Sequence, residues 1–280
     1  MQRRRDATST NASSPTELMR MGALPCALTI AGSDSSGGAG VQADLKTFSA
    51  LGVFGTCAIT ALTAQNTLGV IAIHDVPPEF VAAQIEAVVS DLKVSAVKTG
   101  MLANASTVEV VSEKVKEYNL QPLVVDPVIV AGTGARLLTE DGVEVLKRKL
   151  LPLATIVTPN AREAEALTGI AVTSLQSAKD AAMALRELGA SISVIKGGHL
   201  GLSEAVDLVY DGATFIELRS ERAFKGRLHG AGCVFSAAIT AYLAAGAPPL
   251  QAIANAKQFI QRSIERAIPI GAGAVPVNPM

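Results

Sequence analysis

Cys26-Ala27-Leu28-Thr29-Ile30-Ala31 runs directly into Gly32-Ser33-Asp34-Ser35-Ser36-Gly37-Gly38-Ala39-Gly40. An apolar, partly β-branched run that stops at glycine predicts a strand over 26–31, and the Gly/Ser stretch after it predicts a tight loop. The same pattern recurs at 55–64, 96–99, 123–125, 155–157 and 193–195, each run ending at Gly, Pro, Asp or Asn. Between these runs lie segments with a single apolar stripe at helical spacing, such as Val81, Ile85, Val88, Val89 and Leu92, or Val108, Val111, Val115 and Tyr118. Strands alternating with helices imply a mainly parallel sheet with helices on both faces. Asp211-Gly212 between 206–210 and 214–218 predicts a hairpin, and with it a late antiparallel excursion. Two further helices follow, one after Cys233 and one bearing Ile253, Phe259, Ile260 and Ile264.

Composition fits this architecture. Hydrophobic residues make up 49% of the 280 and aromatics 4%, with no Trp, so the core must be built from Ala, Val, Ile and Leu, as in a sheet buried on both faces. Residues 23–280 show no internal repeat and no linker, and read as one α/β domain. Residues 1–22 are polar and aperiodic, lack the apolar segment of a secretory signal, and read as a disordered extension. A net charge of −1 and the lack of a basic cluster beyond Arg3 to Arg5 argue against nucleic acid as a partner. No apolar run is long enough for a bilayer span. Cys26, Cys57 and Cys233 are odd in number and far apart, and His74, His199 and His229 have no metal-ligand spacing. The expectation is a cytoplasmic α/β enzyme without zinc.

In open parallel sheets, ligands sit beyond the carboxyl ends of the strands. The residues there are Gly32 to Gly40 and then Asp44; Gln65-Asn66; Gly100-Met101; Asp126-Pro127; Thr158-Pro159-Asn160 with Glu163; and Lys196-Gly197-Gly198. Any one of these is ordinary turn chemistry; six at one sheet edge make a site. Asp126, Asn160 and Glu163 supply the oxygen ligands that a hydrated Mg²⁺ takes. Lys196 suits phosphate oxygens as a mobile point charge.

Arg227-Leu228-His229-Gly230-Ala231-Gly232-Cys233 adds a two-glycine turn that delivers Cys233 to the start of an Ala-rich helix. Converging backbone N–H groups there make an anion site. A thiol at a helix start is expected to ionise below about 8.5, although a free Cys is also a common core residue. Gly230, Gly232, Cys233 and Lys196 together suit phosphoryl transfer, which depends on positioning and charge stabilisation. Gly38-Ala39-Gly40-Val41-Gln42-Ala43 also matches a dinucleotide-binding fingerprint, but no acidic residue follows at the ribose spacing. Lys46-Thr47 and Lys98-Thr99 lack the glycines of a phosphate-binding P-loop.

The motifs Leu28 to Gly40, Gln42-Ala43-Asp44-Leu45-Lys46-Thr47-Phe48, Ala64-Gln65-Asn66, Lys98-Thr99-Gly100-Met101-Leu102, Asp126-Pro127-Val128, Thr158-Pro159-Asn160, Lys196-Gly197-Gly198-His199 and His229-Gly230-Ala231-Gly232-Cys233 resemble those of the ribokinase-like kinases. Within that family they resemble the hydroxymethylpyrimidine and phosphomethylpyrimidine kinases of thiamine synthesis. The resemblance spans about residues 26 to 270. It implies a three-layer α/β/α sandwich, ATP with Mg²⁺, K⁺ being left open, and a homodimer. Gln65 looks like the residue that hydrogen-bonds an aminopyrimidine, with Gly32, Ala39, Met101 and Val128 shaping its pocket, while Asp44 either joins them or pins the first loop. Thr158, Asn160, Lys196 and Gly198 fall on the nucleotide side, and Cys233 takes the place of the catalytic base. Ala131 to Arg136 and Gly273 to Asn278 depart from the family's form. The alternatives are a pyridoxal kinase of the same Cys-bearing branch, whose members tend to lack Gln-Asn at 65–66 and Lys at 196, and a binding protein without turnover.

Overall fold

The computed structural model describes residues 24–132, 134–197, 204–224 and 226–280. Its strands are β1 (Cys26–Asp34), β2 (Phe54–Gln65), β3 (Val70–Asp75), β4 (Ala96–Thr99), β5 (Leu123–Val125), β6 (Ile156–Val157), β7 (Ile192–Ile195), β8 (Ala205–Tyr210) and β9 (Phe215–Ser220). They form one nine-stranded sheet in the order β3-β2-β1-β4-β5-β6-β7-β8-β9. From β2 to β7 every pairing is parallel, and β3, β8 and β9 are antiparallel to their neighbours. Helices α1 (Gly40–Ala50), α7 (Ala231–Ala244) and α8 (Pro249–Glu265) pack on one face. On the other lie α2 (Pro78–Val89), α3 (Ala105–Glu117), α4 (Glu140–Val145), α5 (Ala161–Thr168) and α6 (Leu175–Glu187).

Strand alternation builds both cores at once. Leu28, Ile30, Leu123, Val125 and Val157 enter the core shared with Val81, Ile85 and Val111, whereas Ala27, Val124 and Ile156 enter the one shared with Val234, Ala238 and Ile253. The three-layer sandwich, the parallel centre and the hairpin turning at Gly212 (φ +94°) are as expected. Two features differ. β1 runs on to Asp34, with a register irregularity between Ala31 and Ser33, so the start of the first loop is strand. An unanticipated strand, β3, pairs with β2 along an exposed edge.

Two elements position the site. α7 is buried on nearly every side from Val234 to Ala241, as an apolar helix must be, and its small side chains let β1, β4, α1 and α8 approach it. Its N-terminus therefore points to the carboxyl edge of the parallel strands. A short pair, β10 (Leu228–His229) with β11 (Val275–Pro276), fixes the turn that leads into it. Over the same edge, Val130 and Arg136 bridge antiparallel, Gly134 turns between them at φ +96°, and Arg227 Nη2 donates to the Gly132 carbonyl at 2.8 Å. The 1–22 extension, Thr133, Gly198 and His199 lie outside the described residues.

Candidate active site

A cavity of about 530 Å³ opens at this edge. Gly32, Ala39, Gln65, Met101 and Val128 line one end, Gly230, Gly232 and Cys233 its middle, and Asp126, Asn160, Glu163 and Lys196 the continuation. Ile260 and Ile264 of α8 and Phe235 add an apolar stretch, beside the Lys257–Asp207 ion pair at 2.8 Å.

At the first end, Asp34 organises the loop between β1 and α1. Its Oδ1 accepts from the Ser36 amide and hydroxyl at 2.8 Å, and its Oδ2 from the Ala39 amide at 2.8 Å. Nε2 of His229 lies 2.8 Å from Oδ2. Against the opposing effect of burial, His229 and Ser36 hold this carboxyl below the usual carboxylate range. An ionised Asp34 needs the His229 Nε2 hydrogen, so that nitrogen cannot also accept from the Gln65 Nε2 3.3 Å away. The Gln65 amide, whose backbone is clamped by the Ser35 hydroxyl, thus keeps its N–H donors for the cavity.

The middle of the site is an interlock of two loops. Gly230 caps α7 at φ +79° with no side-chain partner for the first-turn N–H groups, which leaves them to an anion. A Cβ at Gly230 would stand 1.8 Å from the Gly38 carbonyl oxygen, and one at Gly38 2.4 Å from His229 Cδ2. Only glycines permit this approach. Cys233 follows, its sulfur accepting from the Gly40 N–H. The expected low ionisation of this thiol is not what the structure gives: burial pushes it up to about 11, with Lys98 opposing that rise and Asp126 and Asp44 adding to it. The partial charge of a helix start is outweighed by desolvation.

At the far end, Lys196 Nζ sits 2.8 Å from Asp126 Oδ1 and 3.8 Å from Glu163 Oε2, and a Cβ at Gly232 would lie 3.1 Å from it. Although burial works the other way, Asp126 and Glu163 hold its ammonium above the usual lysine value. Asp126 also accepts from Ser236 at 3.0 Å, and it stays below the usual range because Lys196 and Lys98 outweigh its burial. Burial raises Glu163 to about 7, with Lys196 opposing and Asp126 reinforcing.

Three expectations are corrected. Asp44 does not reach the cavity: its side chain is fully buried, 2.8 Å from Lys98 Nζ and 2.6 Å from the Thr29 hydroxyl, so it pins the first helix instead. Thr158 is also fully buried, its hydroxyl 3.3 Å from Asp126 Oδ1, and it acts behind that carboxylate. Asn160 Oδ1 caps α5 by accepting from the amides of Arg162 and Glu163, while Glu163 Oε2 accepts from the Asn160 amide at 2.8 Å. This capping box commits Asn160 to holding Glu163 and leaves two carboxylates for a metal. Among the described residues, no group of three or more His, Cys, Asp or Glu is placed to hold one.

Asp34, His229 and Lys98 are site residues that the sequence reading did not single out. Lys98 carried a signal, being a charge inside an otherwise apolar strand.

A family model described as phosphomethylpyrimidine kinase matches residues 34–278. The chain belongs to this family. It is 50% identical to the hydroxymethylpyrimidine/phosphomethylpyrimidine kinase of Haemophilus influenzae over 256 residues, covering 90% of this chain and 95% of that one. It is 51% identical to a thiamine biosynthesis bifunctional protein of Geobacter sulfurreducens, over 90% of this chain but about half (51%) of that protein's length. Among solved structures, the pyridoxal kinase of Staphylococcus aureus in complex with AMP-PCP and pyridoxal superimposes with a TM-score of 0.86 at 38% identity, covering 92% of this chain and 94% of that one. The phosphomethylpyrimidine kinase family is thus one of kinases on a fold shared with pyridoxal kinases, and the cavity described above is where this member's polar groups converge. No helix among the described residues is long and apolar enough to cross a membrane.

Proposed function

We propose that this kinase transfers the γ-phosphate of ATP to the hydroxymethyl group of 4-amino-5-hydroxymethyl-2-methylpyrimidine, and then to the resulting monophosphate, in thiamine biosynthesis. The observation that carries the reading is the order of groups along one cavity: Gln65, then the Gly230–Cys233 turn, then Lys196 with Asp126 and Glu163. Gln65, with its donors unclaimed, pairs with the ring nitrogen and exocyclic amine of the pyrimidine. The ring lies among Gly32, Ala39, Met101 and Val128, which brings the hydroxymethyl oxygen to Cys233. The first-turn N–H groups of α7 receive the charge that develops on the transferred group, and Lys196 neutralises phosphate oxygens. The adenine lies toward Ile260 and Ile264, and the segment that contains Gly198 borders the nucleotide.

Two convergent carboxylates with only oxygen donors, sharing one ammonium, fit a divalent cation that keeps most of its waters. Asp126 and Glu163 would hold Mg²⁺ there, where it supplies charge neutralisation of the triphosphate; K⁺ remains an option beside it. A single domain over 23–280, a preceding extension over 1–22 and a cytoplasmic location belong to the same reading, the last supported by three free cysteines. A homodimer is supported by an apolar exposed edge: Leu62, Leu68, Ile71, Ile73 and Phe80 all stand in solvent around the unpaired side of β3.

The test is kcat/KM for the aminopyrimidine, its monophosphate and pyridoxal in one ATP-coupled panel. Preference for the pyrimidine by at least about tenfold is expected, since a buried donor left unmatched costs about 1–3 kcal/mol. Pyridoxal as the better substrate would overturn the assignment of Gln65. Charge neutralisation by Lys196 makes Lys196→Ala lower turnover more than pyrimidine affinity.

A further inference from the structure

Lys98 ends its strand with its whole side chain out of water, in a stretch otherwise made of Ala96, Val97 and Thr99. A buried lysine without a structural debt to repay would destabilise the fold by several kcal/mol, so its surroundings need an explanation. Its Nζ donates to Asp44 Oδ2 at 2.8 Å, and the Thr29 hydroxyl donates to the same oxygen at 2.6 Å. Asp44 Oδ1 is buried and has no hydrogen-bond partner, so the pair is not a saturated structural network. On its other side Lys98 lines the cavity together with Cys233 and Asp126. Gly100 lets it do so, because a Cβ there would stand 3.1 Å from Nζ and 2.9 Å from Ala31 Cβ.

We infer that Lys98, clamped by Asp44 and Thr29, is a positioning residue that places a fixed positive charge beneath Cys233 and readies that thiol to take a proton. The inference rests on the proposed role of Cys233 and extends it. The charged groups that act on Cys233 are Lys98 from β4, Asp126 after β5, Asp44 from α1 and Lys196 after β7. Lys196 is neutralised by its own two carboxylates. Lys98 is first among the groups that favour the thiolate, against the burial that opposes it. Its own ammonium persists because Asp44, Cys233 and Asp126 together outweigh its burial.

The experiment is the pH profile of Cys233 alkylation by iodoacetamide in the full chain, read at that residue by peptide mass spectrometry. Three proteins are compared: wild type, Asp44→Asn, and the Lys98→Met/Asp44→Asn double variant, which removes both charges and so avoids leaving a buried carboxylate alone. Asp44→Asn keeps the shape and leaves Lys98 charged. Its alkylation midpoint is expected to lie at least about one pH unit below that of the double variant, the size of effect a nearby opposite charge has on a titrating group. Turnover of the pyrimidine should follow the same order. Coincident midpoints in the two folded variants would overturn the inference, as would failure of both to fold, since the pair would then serve only the structure. The alkylation profile does not require Cys233 to be the base, so a fault in that assignment shows separately, as near-normal turnover in Cys233→Ala.

Discussion

Replacing Cys233 by Ala should separate the two phosphorylations. With the thiol pushed up to about 11, forming a free thiolate at pH 8 would cost three units, or about 4 kcal/mol at 1.36 kcal/mol per unit. About one molecule in 10³ would hold it. Cys233 therefore works by taking the proton in step with attack, and such assistance is worth about 10²–10⁴-fold. The first acceptor is an alcohol and needs it. The second is a phosphate monoester, whose second ionisation near 6 leaves the attacking oxygen bare at pH 8. Cys233→Ala should thus lower kcat for the hydroxymethylpyrimidine at least about 10²-fold and for its monophosphate by less than about tenfold. Single-turnover ADP release with each acceptor reads both steps, and a melting curve checks that the loss of one half-buried sulfur leaves the fold intact. Equal loss in both steps would refute the reasoning and make Cys233 a packing element of the anion turn.

Gln65→Met should narrow the preference for pyrimidine over pyridoxal by harming the pyrimidine, read as kcat/KM for each. Glu163, raised to about 7 by burial, holds its proton more tightly in the folded chain than in the unfolded one. In metal-free buffer, stability should therefore fall as pH rises from about 4.5 to 7, a slope that urea titrations should find reduced in Glu163→Gln. Chelation should abolish activity and Mg²⁺ restore it, with more Mg²⁺ needed at pH 6 than at pH 8 because Glu163 must ionise to bind it. Substituting Ile71 and Ile73 by Lys should shift the mass seen by light scattering from dimer to monomer; an unchanged mass would place the interface elsewhere.

The parallel centre of the sheet was legible because strands buried on both faces are short apolar runs with firm stops. β3 was not: Val70-Ile71-Ala72-Ile73-His74-Asp75 has no buried side, so no alternation marks it. The site edge followed from the strand ends, and with it most of the cavity lining. The role of Asp44 could not be settled that way, because its partner Lys98 comes from another strand, 54 positions on. The behaviour of Cys233 was misjudged for a related reason: a helix start is local, whereas desolvation depends on everything packed around α7.

The contact between Gly38 and Gly230 also limits how this pocket can be altered by mutation. A side chain on either loop meets backbone or a held ring, so neither position is open to drift. At Gly32, by contrast, an added Cβ would meet Met101 Sδ at 3.0 Å, the movable part of a flexible side chain. New acceptor rings can thus be accommodated by exchanging Gln65, Met101 or Gly32, while the transfer machinery a few ångströms away stays fixed. A lineage of vitamin kinases could diversify its substrates from this one arrangement without rebuilding the phosphate end.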